Sequence, residues 1–232
     1  MCITGGHGID FGAPKAHTTS PTAWRQNIRR MVPHEHLFYE GDEQSHVYVI
    51  EKGWVKLYRT LIDGQRQVVG FCNGGTVLGL ESESQHANGC EAITDVTVRA
   101  IPVSRFSEVC EQDPKLAHQL LIQLGRQLGA AQAQLTAVGS QSADQRLAMF
   151  LLAIADHNNS ASGDEFDLPM RRGDMADFLG LRLETVSRKM SDFQRREWIR
   201  MTSLYRCKIL RRALLQELAQ GSDIGADGAK AA

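Results

Sequence analysis

The chain has 232 residues, 42% of them hydrophobic, and a formal net charge of −1. That length suits one large or two ordinary domains with real cores. The near-neutral total excludes a uniformly basic or acidic chain, so any preference for nucleic acid must sit in a local segment. Residues 1–23 hold no long apolar run, so neither a signal peptide nor a membrane span is expected and the predicted location is the cytoplasm. The cysteines Cys2, Cys72, Cys90, Cys110 and Cys207 form no C-x-x-C pair. An odd, scattered set is not a disulfide framework, and each reads as a reduced, small hydrophobe.

Residues 1–24 are rich in Gly, His, Thr and Pro without periodicity and read as a flexible arm. Trp24, Ile28 and Met31 recur at helical spacing and predict a short helix. From His36 the pattern changes to short β-rich runs punctuated by turns: His36–Tyr39, Val47–Ile50, Trp54–Thr60, Gln67–Phe71, Val77–Leu80 and Ala92–Val103, with Gly41, Gly53, Gly64, Gly74 and Gly75 between them. Many short strands at even spacing predict an antiparallel β-roll, or jelly roll, across residues 25–113.

Past Arg105 the period becomes helical. In the segment 114–141, Leu121, Leu124, Leu128, Ala131, Leu135 and Val138 are spaced three, four, three, four, three, an a/d seam flanked by small and polar residues. A narrow apolar face suits a partner helix, so a homodimer is expected through residues 115–139. Gly139-Ser140-Gln141-Ser142 reads as a hinge. An amphipathic helix follows with Leu147, Phe150, Leu151 and Ile154, then a polar loop from His157 to Gly163 and a short extended piece, Phe166–Pro169.

The most informative stretch comes next. Met175, Ala176 and Leu179 mark a short helix that Gly180 ends, because glycine accepts the left-handed conformation of a tight stop. A second helix starts three residues later, with Leu183, Val186, Met190 and Phe193 as its apolar stripe and Glu184, Ser187, Arg188 and Lys189 opposite. Two helices joined by a short Gly-containing turn are the unit that places its second helix in the DNA major groove. Local charge agrees. From Met170 to Arg212 twelve Lys or Arg stand against five acidic residues, a net +7 that leaves the remainder at −8. A basic segment on an otherwise acidic chain is an electrostatic footprint for nucleic acid. Ile199–Leu210 predicts a two-stranded wing and Arg211–Ala219 a last helix, so that residues 142–219 form a winged helix-turn-helix. Residues 220–232 read as a disordered tail. The fold class is therefore α+β.

This order resembles the superfamily of the cyclic-AMP receptor protein and the fumarate-nitrate regulator (CRP/FNR) over roughly residues 36–219. The carriers are His36-Leu37-Phe38-Tyr39-Glu40-Gly41-Asp42 with Val47-Tyr48-Val49-Ile50-Glu51-Lys52-Gly53, then Ala143–Leu151, then Leu168–Asp174 continuing through Glu184-Thr185-Val186-Ser187-Arg188. The last matches the E-x-x-S-R set of the fumarate-nitrate regulator and FixK branch. Leu183 and the run from Gly64 to Phe71 look FixK-like. Two departures stand out. Oxygen-sensing members carry an N-terminal cysteine cluster for an iron–sulfur centre, but only Cys2 lies in that region here. Cyclic-AMP binders carry a Glu and an Arg-Ser pair, but here His86-Ala87 or Gly89-Cys90 stands where the Arg-Ser pair would, and a cyclic phosphate then has no charge partner. Neither cofactor is expected.

The resemblance implies a homodimeric FixK-type regulator, an activator that reads palindromes with TTGA and TCAA half-sites and recruits RNA polymerase. The chemistry fits. Arg188 can pair bidentately with guanine, Glu184 can accept from a cytosine amino group, and Leu183 and Ser187 can pack on a thymine methyl. Arg182, Thr185 and Lys189 are expected on phosphate, which positions the protein without reading sequence. Three rivals need a structural answer. His34-x-His36-x-x-x-Glu40 resembles the ligand spacing of cupin metal enzymes, although the β-rich stretch after Gly75 offers only His86 as the further later-strand ligand such enzymes need; no enzyme is expected. A regulator of the same fold sensing a ligand or haem would draw on His34, His36, His46, His86 or Cys72. Thiol control would draw on Cys207 near the wing.

Overall fold

A computed structural model of the chain describes residues 27–80, 84–157 and 165–221, with backbone alone at 134–138 and His157. The expected N-terminal arm to Trp24 and the expected tail beyond Gly221 lie outside the described residues. Chain contacts divide the protein into two compact units, residues 1–130 and 131–232.

The first unit is an antiparallel roll. Its strands are β1 (Ile28–Met31), β2 (His36–Phe38), β3 (His46–Lys52), β4 (Trp54–Thr60), β5 (Arg66–Asn73), β6 (Val77–Leu78), β7 (Gly89–Ala92) and β8 (Val96–Pro102). They pair in two four-stranded sheets, β1-β8-β3-β6 and β2-β7-β4-β5. Between them lies a core of Met31, Leu37, Phe38, Ile50, Val55, Cys72, Leu78, Cys90, Ala92, Val96 and Val98. The helix expected from Trp24 to Met31 is not present over its described part. Ile28–Met31 is a strand, paired antiparallel with Val96–Arg99. Free main-chain groups at the edge of β8 overrode a helical spacing that rested on three residues. Of the run expected from Ala92 to Val103, Val96–Pro102 forms β8, while Ala92 ends β7, a strand that starts ahead of the run at Gly89 and was not expected; a tight turn separates the two. Gly53 explains the close passage there: it sits at φ +91°, and a Cβ on it would fall 2.2 Å from the Asp95 carbonyl oxygen.

Two helices follow, α1 (Val103–Gln112) and the 27-residue α2 (Pro114–Ser140). Asp113 starts α2 by accepting from the Lys115 and Leu116 amides at 3.0 and 3.2 Å, with proline at the first helical position. Phe106 of α1 and Leu116 and Leu120 of α2 close a second core over Val47, Val49, Val77 and Ile101.

The second unit holds the end of α2, α3 (Ala143–His157), β9 (Glu165–Asp167), α4 (Arg172–Leu179), α5 (Leu183–Arg195), β10 (Ile199–Ser203), β11 (Arg206–Ile209) and α6 (Arg212–Ala219). β10, β11 and β9 form one antiparallel sheet, so the extended piece expected before the helix-turn-helix becomes the third strand of the wing. The expected apolar face of α3 is buried throughout, with Leu147, Phe150, Leu151 and Ile154 at most 2% exposed.

Glu91 is the one buried acid among the described residues. His34 lies 2.9 Å and Lys56 3.3 Å from one carboxylate oxygen; Arg66 lies 3.2 Å and His36 3.6 Å from the other. Burial alone would push the Glu91 carboxyl up, but the His34 hydrogen bond and the Lys56 charge outweigh it and hold the group below its ordinary 4.5. His36 is held below its ordinary 6.5, by burial first and against the pull of Glu91. Both shifts have the same sign for stability. The fold prefers ionised Glu91 and neutral His36, so the stabilisation is full above 6.5 and declines as pH falls through the two folded-state values. Glu91→Gln is expected to cost about 1–3 kcal/mol at neutral pH. Urea unfolding across pH should show this gap to wild type closing below 4.5. A gap that stays constant into acid would mean that the carboxylate charge contributes nothing.

Candidate nucleic-acid interface

α4 and α5 form the helix-turn-helix foreseen from the sequence. Gly180 is left-handed at φ 62°, ψ 41° and its amide returns to the Ala176 carbonyl. Met175, Ala176, Phe178 and Leu179 bury one face of α4, and Val186, Met190 and Phe193 bury one face of α5. Phe193 continues onto Trp198, 5.2 Å away between ring centres. Leu183 departs from the expected stripe. It is the first residue of α5 and 48% exposed, one turn before the buried positions begin, so it belongs to the outer surface rather than to the core.

The outer face of α5 gathers the residues expected to read bases. Leu183, Glu184 and Arg188 are exposed and Ser187 is half-buried beside them. A shallow groove lined by Ser187, Arg188, Lys189, Ser191, Asp192 and Arg195 runs along the helix. Arg182 is the exposed N-cap residue and makes no side-chain cap, so the first amides of α5 take no partner from it. Thr185 is half-buried on the same turn. Lys189 is placed differently from its neighbours: its ammonium lies 2.6 Å from a carboxylate oxygen of Asp144 in α3, an ion pair that competes with the expected phosphate role. Further along, Asp192 holds Arg195 and Arg196, and Arg196 also lies 5.1 Å over the Trp198 ring.

Two residues that bear on this surface lie in the Ala143–Leu151 run that carries the family resemblance, but the sequence gives neither a role here. Arg146 of α3 donates to the Leu179 carbonyl at 2.8 Å and reaches the Gly180 carbonyl at 3.4 Å. Asp144 holds Lys189. Their partners lie 33 to 45 positions away, beyond any periodic reading.

The rival readings meet specific geometry. The cupin-like set His34, His36 and Glu40 is not assembled. Glu40 accepts from the Thr60 amide at 2.9 Å and from Arg59 at 3.4 Å, while both histidines turn to Glu91 beside two permanent cations. Among the haem candidates, His86 is buried and stacked on Phe38 at 3.7 Å, Cys72 is fully buried, and His46 lies 2.9 Å from the Ser45 hydroxyl. No group of three or more His, Cys, Asp or Glu suited to a metal occurs among the described residues.

Comparison with known proteins decides the family. Residues 145–218 match the Crp-like helix-turn-helix domain and residues 28–113 the cyclic nucleotide-binding domain. The chain is 36% identical over 163 residues to the nitrogen fixation regulation protein FixK of Bradyrhizobium diazoefficiens, covering 69% of each. It is 32% identical over 199 residues to the FixK protein of Rhizobium meliloti, covering 86% of this chain and 90% of that one. The solved structure of FixK2 from Bradyrhizobium japonicum superposes with a TM-score of 0.77 at 31% identity, covering 83% of this chain and 96% of that one. The chain belongs to the CRP/FNR family, in its FixK-like branch.

A cyclic nucleotide-binding match raises the question of whether this FixK-like roll suits such a ligand. The residues do not fit one. No Lys or Arg occurs from Gln67 to Val98, so the segment around Gly75 and His86 offers no permanent cation to a cyclic phosphate. The His86 ring is committed to Phe38. Thr76 and Gln123 keep buried polar atoms without a hydrogen-bond partner, but these are uncharged and do not replace that cation. At the wing, Cys207 is fully buried and burial pushes its thiol up to about 12, against the opposing pull of Arg172. A thiol in that state is not a nucleophile near neutral pH. Maleimide labelling of native protein at pH 7 is therefore expected to spare Cys207, with modification only after denaturation, as peptide mapping would show. Modification of the folded protein would mean that the wing opens.

Proposed function

We propose that this FixK-like protein acts as a homodimeric, sequence-specific activator of transcription that works without an iron–sulfur cluster or cyclic AMP. One observation carries the reading: α5 is divided lengthwise, with Val186, Met190 and Phe193 buried and Glu184 and Arg188 exposed on the other side. A helix held by one face and offering a guanidinium and a carboxylate on the other suits the major groove. In this reading Arg188 pairs with guanine, Glu184 accepts from cytosine, and Leu183 and Ser187 pack on thymine methyls. Arg182, Thr185 and the uncapped amides of α5 take phosphate. Half-sites of the TTGA and TCAA type supply these groups.

Pairing through α2 supports a palindromic operator. Leu121, Leu124 and Leu128 are 67%, 39% and 61% exposed in the single chain, while Leu116 and Leu120, on another face, are buried in the roll. Leaving three leucines of one seam in water is unfavourable by about 1.5–3 kcal/mol for each side chain that a partner would cover fully. Ala131, Leu135 and Val138 continue the proposed seam. RNA polymerase is the partner that an activator of this family would recruit.

Arg188→Ala should lower the preference for a TTGA/TCAA palindrome by about 1–3 kcal/mol per half-site, with affinity for scrambled duplex unchanged. A gel-shift at moderate salt reads both. Retained selectivity would refute the assignment of Arg188. Replacing Leu121 and Leu128 together by Glu should yield monomers in sedimentation and abolish binding to the full palindrome; a double variant that stays dimeric would place the interface elsewhere.

A further inference from the structure

We infer that the first turn of α3 is a clamp on the DNA-facing helix, with Arg146 and Asp144 as positioning residues and Lys189 as Asp144's partner rather than a phosphate ligand. The inference rests on the DNA-binding reading of α5. Three contacts carry it. Ser142 and Gln145 cap each other reciprocally, the Ser142 amide donating to the Gln145 side chain at 2.8 Å and the Gln145 amide lying 3.3 Å from the Ser142 hydroxyl. This fixes where α3 begins. One turn on, Arg146 places its guanidinium on the Leu179 and Gly180 carbonyls. These are orphan acceptors at the negative end of α4, where a cation is favoured. They also belong to the turn that sets the angle between α4 and α5. Third, Asp144 holds Lys189, on the helix beyond that turn, at 2.6 Å.

The geometry makes the pair an azimuthal stop. Successive residues of a helix project about 100° apart, so Lys189 tied to α3 fixes the direction in which Arg188 leaves the helix. A rotation of α5 that swings Arg188 away from a base edge has to break the Asp144 contact. The buried face of α3, Leu147, Ala148 and Leu151, keeps the base of the clamp rigid. A Lys189 ammonium reaching for phosphate would also bring the Asp144 carboxylate toward the same phosphate, which like charge opposes.

The test uses the full-length protein and the variants Arg146→Gln, Arg146→Lys, Asp144→Asn, Lys189→Met and the double Asp144→Asn/Lys189→Met. Affinity for the TTGA/TCAA palindrome and for a scrambled duplex is measured over a range of salt, and amide exchange at Gly180 and Leu181 is followed without DNA. Arg146→Gln should lower the ratio of palindromic to scrambled affinity by about tenfold, speed exchange at both amides, and be partly rescued by Arg146→Lys. Asp144→Asn and Lys189→Met should each lower the ratio by a few-fold, with the double variant no worse than either single one. The salt slope should stay that of wild type. If Lys189→Met instead weakens both duplexes equally and lowers the salt slope by about one, Lys189 is a phosphate ligand and the clamp is overturned. Unchanged exchange in Arg146→Gln overturns it as well. Should wild type fail to prefer the palindrome, the functional reading falls, and the exchange rates still decide the clamp.

Discussion

The burial of Val186, Met190 and Phe193 is the constraint on which the rest of the DNA-binding unit depends. Three side chains at helical spacing commit one side of α5 to the protein interior. Glu184 and Arg188 are then left in water by geometry, not by any preference of their own. Removing a buried side chain of this kind costs more than any surface charge on the same helix returns, so the face proposed to read DNA is a by-product of the packing face. Gly180 makes this possible by starting a turn of three residues, Gly180 to Arg182, from α4 into α5.

The β-roll presents a different balance. It has the two-sheet architecture of a nucleotide-binding module, but its charge is arranged around Glu91 on one sheet instead of around a ligand phosphate. Lys56, Arg66 and two imidazoles converge on that carboxylate. The segment from Gly75 to Cys90 carries no Lys or Arg, and His86 within it is stacked on Phe38. The scaffold has kept its shape while its interior polar groups do other work, the separation of fold from site that recurs among common folds.

Much of this was legible in the sequence because it rests on periodicity and punctuation. The strands from His36 onward except β7, the faces of α3 and α4, the glycine turn and the wing followed from local spacing. Leu183 shows the limit: its spacing joins it to Val186 and Met190, but a helix start projects beyond the body it packs on, so the same periodicity ends in solvent. Ile28 and Met31 show another, since two apolar residues three apart fit a helix or the edge of a sheet, and only the unpaired side of β8 decides between them. The roles of Glu91, Asp144 and Arg146 were not legible, although the last two lie in a run that carries the family resemblance. Each acts through partners brought close by the completed fold, and in the case of Arg146 the partner is main chain.

That last detail bears on which substitutions the protein tolerates. Because Arg146 grips carbonyl oxygens, a change of side chain at Leu179 leaves the acceptor in place, and packing alone constrains that position. The donor has no such freedom: few other side chains span the gap with a permanent charge and a planar fork. A pairwise covariation signal, which needs the side chains at both ends to change in step, would therefore pass over this contact.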